Sequence, residues 1–427
     1  MNKDSFLPPT GTRDIEPAAA EIRTNVINTI TAIYKKYGFN FIETPCLEKL
    51  ENLLGKKGGE NEKLIFKVLK RGGELKEALQ NIPFAENDLA DFGLRYDLTI
   101  PLARYYARYK DKLPKPFKVF QIGSVWRAER PQKARYRQFT QCDIDIIGDP
   151  APNCEIELIY VTCKTLHELK IKNFEIRIND RQILKKISRN CGINDDDKYR
   201  DFLISLDKLD KKSLDDIIEE LGKKGFNKDI LSNIKNTFEG LKSAAKSIDL
   251  LFKDDSDQEY LKTCKSLTAI IEGVKNLLGD VNIRFDPTLV RGMDYYTGTI
   301  YEVNEINEKN SFGGGGRYNN MIGSFSQQNV SACGFSLGFE RIIDSFFSAA
   351  SDNNGKKIKK AALLYSYGDN FCDIIHYCEK LKENYCVVSI FDKQKNTANQ
   401  LAKLKETGFT HWGIYKGENT IIAEMEK

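Results

Sequence analysis

The chain has little histidine and no clustered cysteine. Three histidines, His167, His376 and His411, occur in 427 residues, and none of the ten cysteines forms a CxxC pair. That spacing argues against a zinc site or a thioredoxin-like redox motif. The cysteines stand mostly among apolar neighbours, as buried free thiols of a reducing compartment do. No apolar run approaches the ~20 residues that span a bilayer, so no membrane partner is expected. The opening MNKDSFLPPTGTRDIEP has no apolar signal core and is not an Arg-rich, acid-free transit peptide; a cytoplasmic location is expected. Charge of one sign is missing too. Lys plus Arg is 65 against 61 for Asp plus Glu, a net +4, so any surface for nucleic acid must be local. The glycine run 313–316 is followed by Arg317 and Tyr318. It is therefore neither a Walker A loop nor a GxGxxG opening a helix.

What is present is a soluble, globular pattern, 41% hydrophobic and 30% charged, long enough for two or three domains. Ile22, Val26, Ile30, Ile33 and Tyr37 recur at helical spacing and predict a helix over residues 18–37 ended by Gly38. Its apolar face suits a partner subunit or an ordinary core. FNFIETP then reads as a short strand halted by Pro45. Residues 49–90 read as a loop, a strand at LIFKVL and another loop. From residue 194 to 279 the texture is helical and charged, with Leu203, Leu206, Leu214, Ile217 and Leu221 in amphipathic register; strand texture on either side marks it as an insertion. A polar linker at 351–360 precedes alternating strand and helix patterns over 361–427, which predict a compact α/β domain.

Four stretches carry chemistry. FKVFQIGSVWRAERPQKARYRQFTQCDIDIIG, residues 117–148, reads as a long antiparallel hairpin. Its polar side carries Arg127, Glu129, Gln141 and Asp145, while Cys142, Ile144 and Ile146 alternate with Gln141, Asp143 and Asp145. Arginine at a strand end suits a phosphate, and carboxylates on one face suit an amine or a cation. A half-exposed edge hairpin would show the same alternation. In RYDLTIP, Asp97 and Thr99 share a parity just before a helix; capping explains them by themselves, and a ligand ammonium is the other reading. FDPTLVRGMDYYTGTIYEV brings Arg291, Tyr295 and Tyr296 between two strands. The glycines of SFGGGGRYNN, followed by Tyr318, are either a turn in a sheet or a close backbone approach to a ligand. ACGFSLGFERIIDSFF places Arg341 at a helix start, where an anion is favoured.

Together these stretches resemble a class II aminoacyl-tRNA synthetase. The hairpin with Arg127 and Glu129 is similar to the second motif of that class, GFSLGFERI to the third, and the passage through Pro45 to the weaker first; HIGH and KMSKS are absent. RYDLT, RQFTQCDID and LVRGMDYYTGTIYE resemble the signatures of the histidyl-tRNA synthetase family. The resemblance implies an α+β fold: a class II antiparallel-sheet catalytic domain over 1–350 with the helical insertion at about 194–279, and a C-terminal α/β anticodon-binding domain over 361–427. It implies activation of L-histidine by ATP with Mg²⁺, transfer to tRNA(His), and a homodimer. No zinc and no protein-only metal site are expected. By the family match, Arg127 grips the α-phosphate, and Arg291 contacts the amino-acid carboxylate and that phosphate. Arg341 holds the distal phosphates, and Glu129 lies near the adenine or a Mg²⁺. Asp97, Thr99 and Gln141 take the ammonium group. Asp145, Tyr295 and Tyr296 take the imidazole, with Tyr318 lining the pocket. Lys133, Arg135 and Arg137 meet the tRNA acceptor end. Asn319 and Asn320 replace the usual GGRYD ending. The competing reading is a catalytically silent relative that regulates histidine biosynthesis or senses tRNA; such relatives tend to lose the arginines retained here.

Overall fold

Period-two alternation around residues 117–147 builds the centre of the main sheet. The computed structural model describes residues 6–54, 60–80, 83, 85–131, 135–150, 152–244, 257–291, 296–306, 311–350 and 359–425. They form two units: residues 1–13 with 26–342, and residues 14–25 with 343–427. Helix α1 (Pro17–Lys36) contributes to both.

In the larger unit, β1 (Asn40–Phe41), β2 (Leu47–Lys49), α2 (Leu50–Leu54), β3 (Lys67–Leu69), α3 (Gly72–Gln80) and β4 (Ala90–Leu94) come first. Strands β2, β4 and β3 make a small antiparallel sheet. Residues 49–90 thus hold helices where loops were expected. GGELKEALQ folds as α3 because Glu, Leu, Lys and Ala outweigh two glycines placed at the helix start. Helix α4 (Thr99–Tyr109) follows, then β5 (Phe117–Trp126), β6 (Gln138–Ile147), α5 (Asn153–Glu168), β7 (Phe174–Asp180) and α6 (Arg181–Asn190). The helical stretch contains α7 (Asp196–Leu206), α8 (Leu214–Lys223), α9 (Lys228–Ala244) and α10 (Gln258–Leu278). Asp195, Ser213 and Asp257 cap α7, α8 and α10 through side-chain bonds to the first-turn amides. Leu203, Leu206, Ile217 and Leu221 are buried, as their spacing predicts.

The chain returns through β8 (Asn282–Phe285), β9 (Thr299–Glu305), β10 (Ser311–Arg317), α11 (Asn319–Ser326), β11 (Ala332–Gly338) and α12 (Phe339–Ala350). The main sheet has eight strands in the order β1-β5-β6-β11-β10-β9-β7-β8. The six central strands pair antiparallel, and β1 and β8 close the edges in parallel. Gly313 to Gly316 therefore lie inside a strand in the middle of the sheet, not at a turn. On β6 both parities are buried, Cys142, Ile144 and Ile146 on one and Asp143 and Asp145 on the other. Sheet burial on both faces removes the half-exposed alternative.

The smaller unit contains β12 (Lys360–Tyr365), α13 (Phe371–Leu381), β13 (Val387–Asp392), α14 (Thr397–Glu406), β14 (His411–Ile414) and β15 (Ala423–Glu424). Its sheet runs β13-β12-β14-β15, parallel except for β15. One face packs Ala362 and Leu364 against Leu404 of α14, and the other packs Leu363 against Ile374 and Cys378 of α13. Among the described residues no helix is long and apolar enough to cross a membrane.

Candidate active site

The antiparallel register gathers acids from separate segments on one face of the sheet. A cavity of about 130 Å³ is lined by Tyr96, Asp97, Thr99, Arg127, Gln141, Asp143, Asp145, Tyr296 and Tyr318, with Gly334, Phe335 and Ser336 from β11. Seven of these were expected from the sequence: Asp97, Thr99, Arg127, Gln141, Asp145, Tyr296 and Tyr318. Tyr295 and Lys133 lie outside the described residues.

Asp97 caps a helix and also lines the cavity. Its Oδ1 accepts from the Ile100 amide at 3.1 Å, capping α4, and its carboxylate lines the cavity. Burial raises its pKa against the pull of that amide bond and of Arg127. Arg127 donates Nε to the Tyr96 carbonyl at 3.0 Å, and its guanidinium stands 5.1 Å from the Phe139 ring. Among the described residues its Nη groups have no hydrogen-bond partner. Gln141 donates Nε2 to Ser336 Oγ at 2.9 Å. Its Oε1 and the Oδ1 of Asp143 are buried with no partner. Burial and the neighbouring Asp145 hold the Asp143 pKa well above the ordinary carboxyl value. Asp145 accepts from the Tyr318 hydroxyl at 2.5 Å, and burial, the leading cause, raises its pKa to about 7. A second Cβ on β11 has no room beside it: at Gly334 it would stand 1.9 Å from Asp145 Oδ1.

The family resemblance assigns no role to Asp143, yet it lines the cavity. It shares parity with Gln141 and Asp145, which is the signal that places it in the same cavity.

A second group of cations lies along β9, β10 and α12. Arg291 donates to the carboxylate of Glu302 and, at 3.2 Å, to Ser311 Oγ. Its guanidinium crosses the sheet over Gly314, where a Cβ would lie 2.5 Å from Nη1. Burial alone would lower the Arg291 pKa; Glu302 outweighs it and raises it. Arg341 donates to the Ser311 carbonyl at 2.6 Å, so both arginines meet at one residue. Burial, then Arg291, lowers the Arg341 pKa.

Glu129, Arg135 and Arg137 are outside the cavity lining. Arg135 pairs with Glu129 at 3.1 Å, and Arg137 donates to the Glu129 carbonyl at 3.1 Å. The GTRD turn braces this loop: the Arg137 amide bonds the Gly11 carbonyl at 2.8 Å, and Arg13 stacks 4.0 Å over the Tyr136 ring while pairing with Glu340. Asn319 also has a place: its Oδ1 accepts from the Ala332 amide at 2.9 Å and ties α11 to the start of β11.

The described residues bring together one buried group with metal-ligand chemistry, Cys154, Glu155 and Cys333. Arg317 already bonds both Glu155 oxygens at 2.7 Å and Cys154 Sγ at 2.9 Å. The carboxylate is thus neutralised by a fixed cation rather than turned toward an ion site.

An antiparallel sheet with a long β5–β6 hairpin and a β11–α12 arginine is the catalytic fold of class II aminoacyl-tRNA synthetases. The family model described as histidyl-tRNA synthetase matches residues 11–342. A histidine–tRNA ligase of Leifsonia xyli subsp. xyli is 41% identical over 349 residues, 79% of this chain and 80% of that protein. One from Porphyromonas gingivalis is 34% identical over 98% of this chain and 93% of its own. Among solved structures, histidyl-tRNA synthetase from Nostoc sp. PCC 7120 superposes with a TM-score of 0.74 at 23% identity, covering 98% and 97% of the two chains. A Bacillus halodurans structure titled as an ATP phosphoribosyltransferase regulatory subunit/histidyl-tRNA synthetase gives 0.72 at 20% identity, covering 93% and 96%. The chain belongs to the histidyl-tRNA synthetase family.

Proposed function

We propose that the chain is a histidine–tRNA ligase that makes histidyl-adenylate from L-histidine and MgATP and passes the histidyl group to the 3′ end of tRNA(His). The observation that carries the amino-acid site is the convergence of Asp97, Gln141, Asp143 and Asp145, all buried, on one cavity where Gln141 Oε1 and Asp143 Oδ1 are acceptors with no partner among the described residues. Such acceptors suit a ligand that brings several N–H donors, and they reject isosteres that lack them. In this reading Asp97, Thr99 and Gln141 receive the ammonium group. Asp145, steadied by Tyr318, receives the imidazole with Tyr295 and Tyr296.

A histidine carboxylate oxygen attacks the α-phosphorus, the bond to the bridging oxygen breaks, and pyrophosphate leaves. Negative charge gathers on the α-phosphate, where fixed cations lower the barrier most. Arg127, with unspent Nη donors, and Arg291 flank that charge; Arg341 holds the departing phosphates and Glu129 the nucleotide side. Mg²⁺ arrives with ATP as part of the substrate. The terminal adenosine hydroxyl then attacks the carbonyl carbon and AMP leaves, with Lys133, Arg135 and Arg137 at the acceptor end.

The domain roles belong to the same proposal: a catalytic domain over 1–350 with its insertion at about 194–279, a linker over 351–360, and an anticodon-binding domain over 361–427 acting in the cytoplasm. Fully exposed Tyr367 in the smaller unit suits stacking on an unpaired base. Phe41, Leu47 and Phe92 are large apolar side chains left exposed on the larger unit, and a second copy of the chain would cover them. The deciding experiment is ATP–pyrophosphate exchange with and without L-histidine. Exchange that requires histidine supports the ligase; none with pure protein supports the silent regulatory reading instead.

A further inference from the structure

Arg291 is held from two directions, and both lead to Arg177 on β7. The first runs through Glu302. One of its oxygens takes the Arg291 guanidinium, and the other lies 3.9 Å from Arg177 Nη1. The second runs through the turn that delivers Arg291. Asp286 fixes that turn with Oδ1, which accepts from the Thr288 amide at 2.9 Å and hydroxyl at 2.6 Å. Its Oδ2 accepts from Arg177 Nε at 2.7 Å. Asn179, two residues along β7, holds the Leu289 carbonyl of the same turn at 3.0 Å.

Arg177 is buried, so each of its donors needs an acceptor. Its Nη1 bonds Asp210 Oδ2 at 3.0 Å. Asp210 stands in the turn between α7 and α8, on the helical stretch, and its side chain is 55% exposed. Asp207 of the same turn lies within the field of Arg291 and Glu302. The turn therefore presents carboxylates to the arginine system of the site.

The arrangement has a consequence for Arg291. Without Asp210, a carboxylate still within ion-pair reach of Nη1 is that of Glu302, at 3.9 Å. Closing that gap draws Glu302 from Arg291 and loosens the guanidinium over Gly314. We propose that Asp210 and Arg177 form an ionic latch through which the α7–α8 turn sets the position of Arg291, so that docking of the helical segment governs the rate of adenylate formation rather than the binding of its substrates. This rests on the ligase reading for its rate prediction, but not for its structural one.

Asp210→Ala and Asp210→Asn are compared with wild type by histidine-dependent pyrophosphate exchange. The latch predicts that kcat falls about tenfold, since a small misplacement of a reacting group costs that much or more. The KM values for histidine and ATP should stay within about twofold. Asp210→Glu keeps the charge and should recover most of the rate. Asp215→Asn, which breaks an exposed pair with Lys235 on the same segment, should leave kcat unchanged. An unchanged kcat in Asp210→Ala, or an equal fall in Asp215→Asn, overturns the latch. Amide hydrogen exchange supplies a readout that needs no activity: residues 286–291 should exchange faster in Asp210→Ala, while β5 and β6 stay protected. If wild type lacks histidine-dependent exchange, the ligase reading fails and this measurement alone decides; unchanged protection of residues 286–291 then overturns the latch as well.

Discussion

Gly334 on β11 faces Asp145 on β6 in direct register, and a Cβ there would stand 1.9 Å from the Asp145 Oδ1. The carboxylate occupies the space that any other residue would fill. Gly334→Ala should cost about 1–3 kcal/mol of stability through overpacking. It should also raise the KM for histidine more than about tenfold by turning Asp145. Gly73→Ala, with open space around it, should leave that KM unchanged. Steady-state exchange kinetics on both variants checks this; a normal histidine KM in Gly334→Ala would show that Asp145 does not contact the amino acid.

Gly314 does for Arg291 what Gly334 does for Asp145. Arg291→Ala should lower kcat for adenylation by about 10²–10³, the size of loss when a fixed donor to developing charge is removed. The affinity for histidine should fall far less. Gly314→Ala should reproduce the loss in milder form by pushing the guanidinium off the sheet. Equal losses in kcat and in histidine affinity would mark Arg291 as a binding group only.

The acids of the cavity give stability a pH dependence of known sign. Burial raises the Asp145 pKa to about 7, above the ordinary aspartate value of about 3.9 in an unfolded chain. The native state therefore holds a proton that the unfolded state releases. The associated stability is full below about pH 4 and is lost as pH rises through about 7. Asp97 and Asp143 shift in the same direction. Asp145→Asn removes one titrating group, so its melting temperature should gain on wild type between about pH 5 and 7 and then run level. Calorimetry across that range is the check, and a constant difference would place the titration elsewhere.

Arg317 and Glu155 form a buried bidentate pair at 2.7 Å. Removing one partner strands the other charge, so Glu155→Gln should destabilise by about 3–5 kcal/mol. Urea unfolding measures it. A loss below about 1 kcal/mol, the level of an exposed pair, would mean that the guanidinium finds a new partner.

Much of this site was legible before the fold. Asp97, Gln141 and Asp145 stand at positions whose parity or capping role could be read locally, and they line the cavity. Asp143 had the same parity and was passed over because capping and alternation give no measure of depth. The glycines 313–316 read either as a turn or as a close backbone approach to a ligand, since glycine's freedom is the local signal; that Gly314 gives clearance to Arg291 depends on a residue 23 positions earlier in the chain. Arg177 and Asp210 carried no motif at all. The helices α2 and α3 went unread because glycine and charge mask short amphipathic segments.

The sequence by itself determined the long hairpin, the helical stretch, the final α/β pattern and the arginines, because periodicity and residue chemistry act over a few neighbours. Only the tertiary structure decided which of these residues meet. The register of β6 against β11 sets Asp145 on Gly334, and the course of β8 to β10 brings Arg291, Glu302 and Arg177 into one chain of charge. Those meetings depend on pairings between distant segments, where burial on both faces of the sheet makes an unpaired charge costly and so selects a single arrangement.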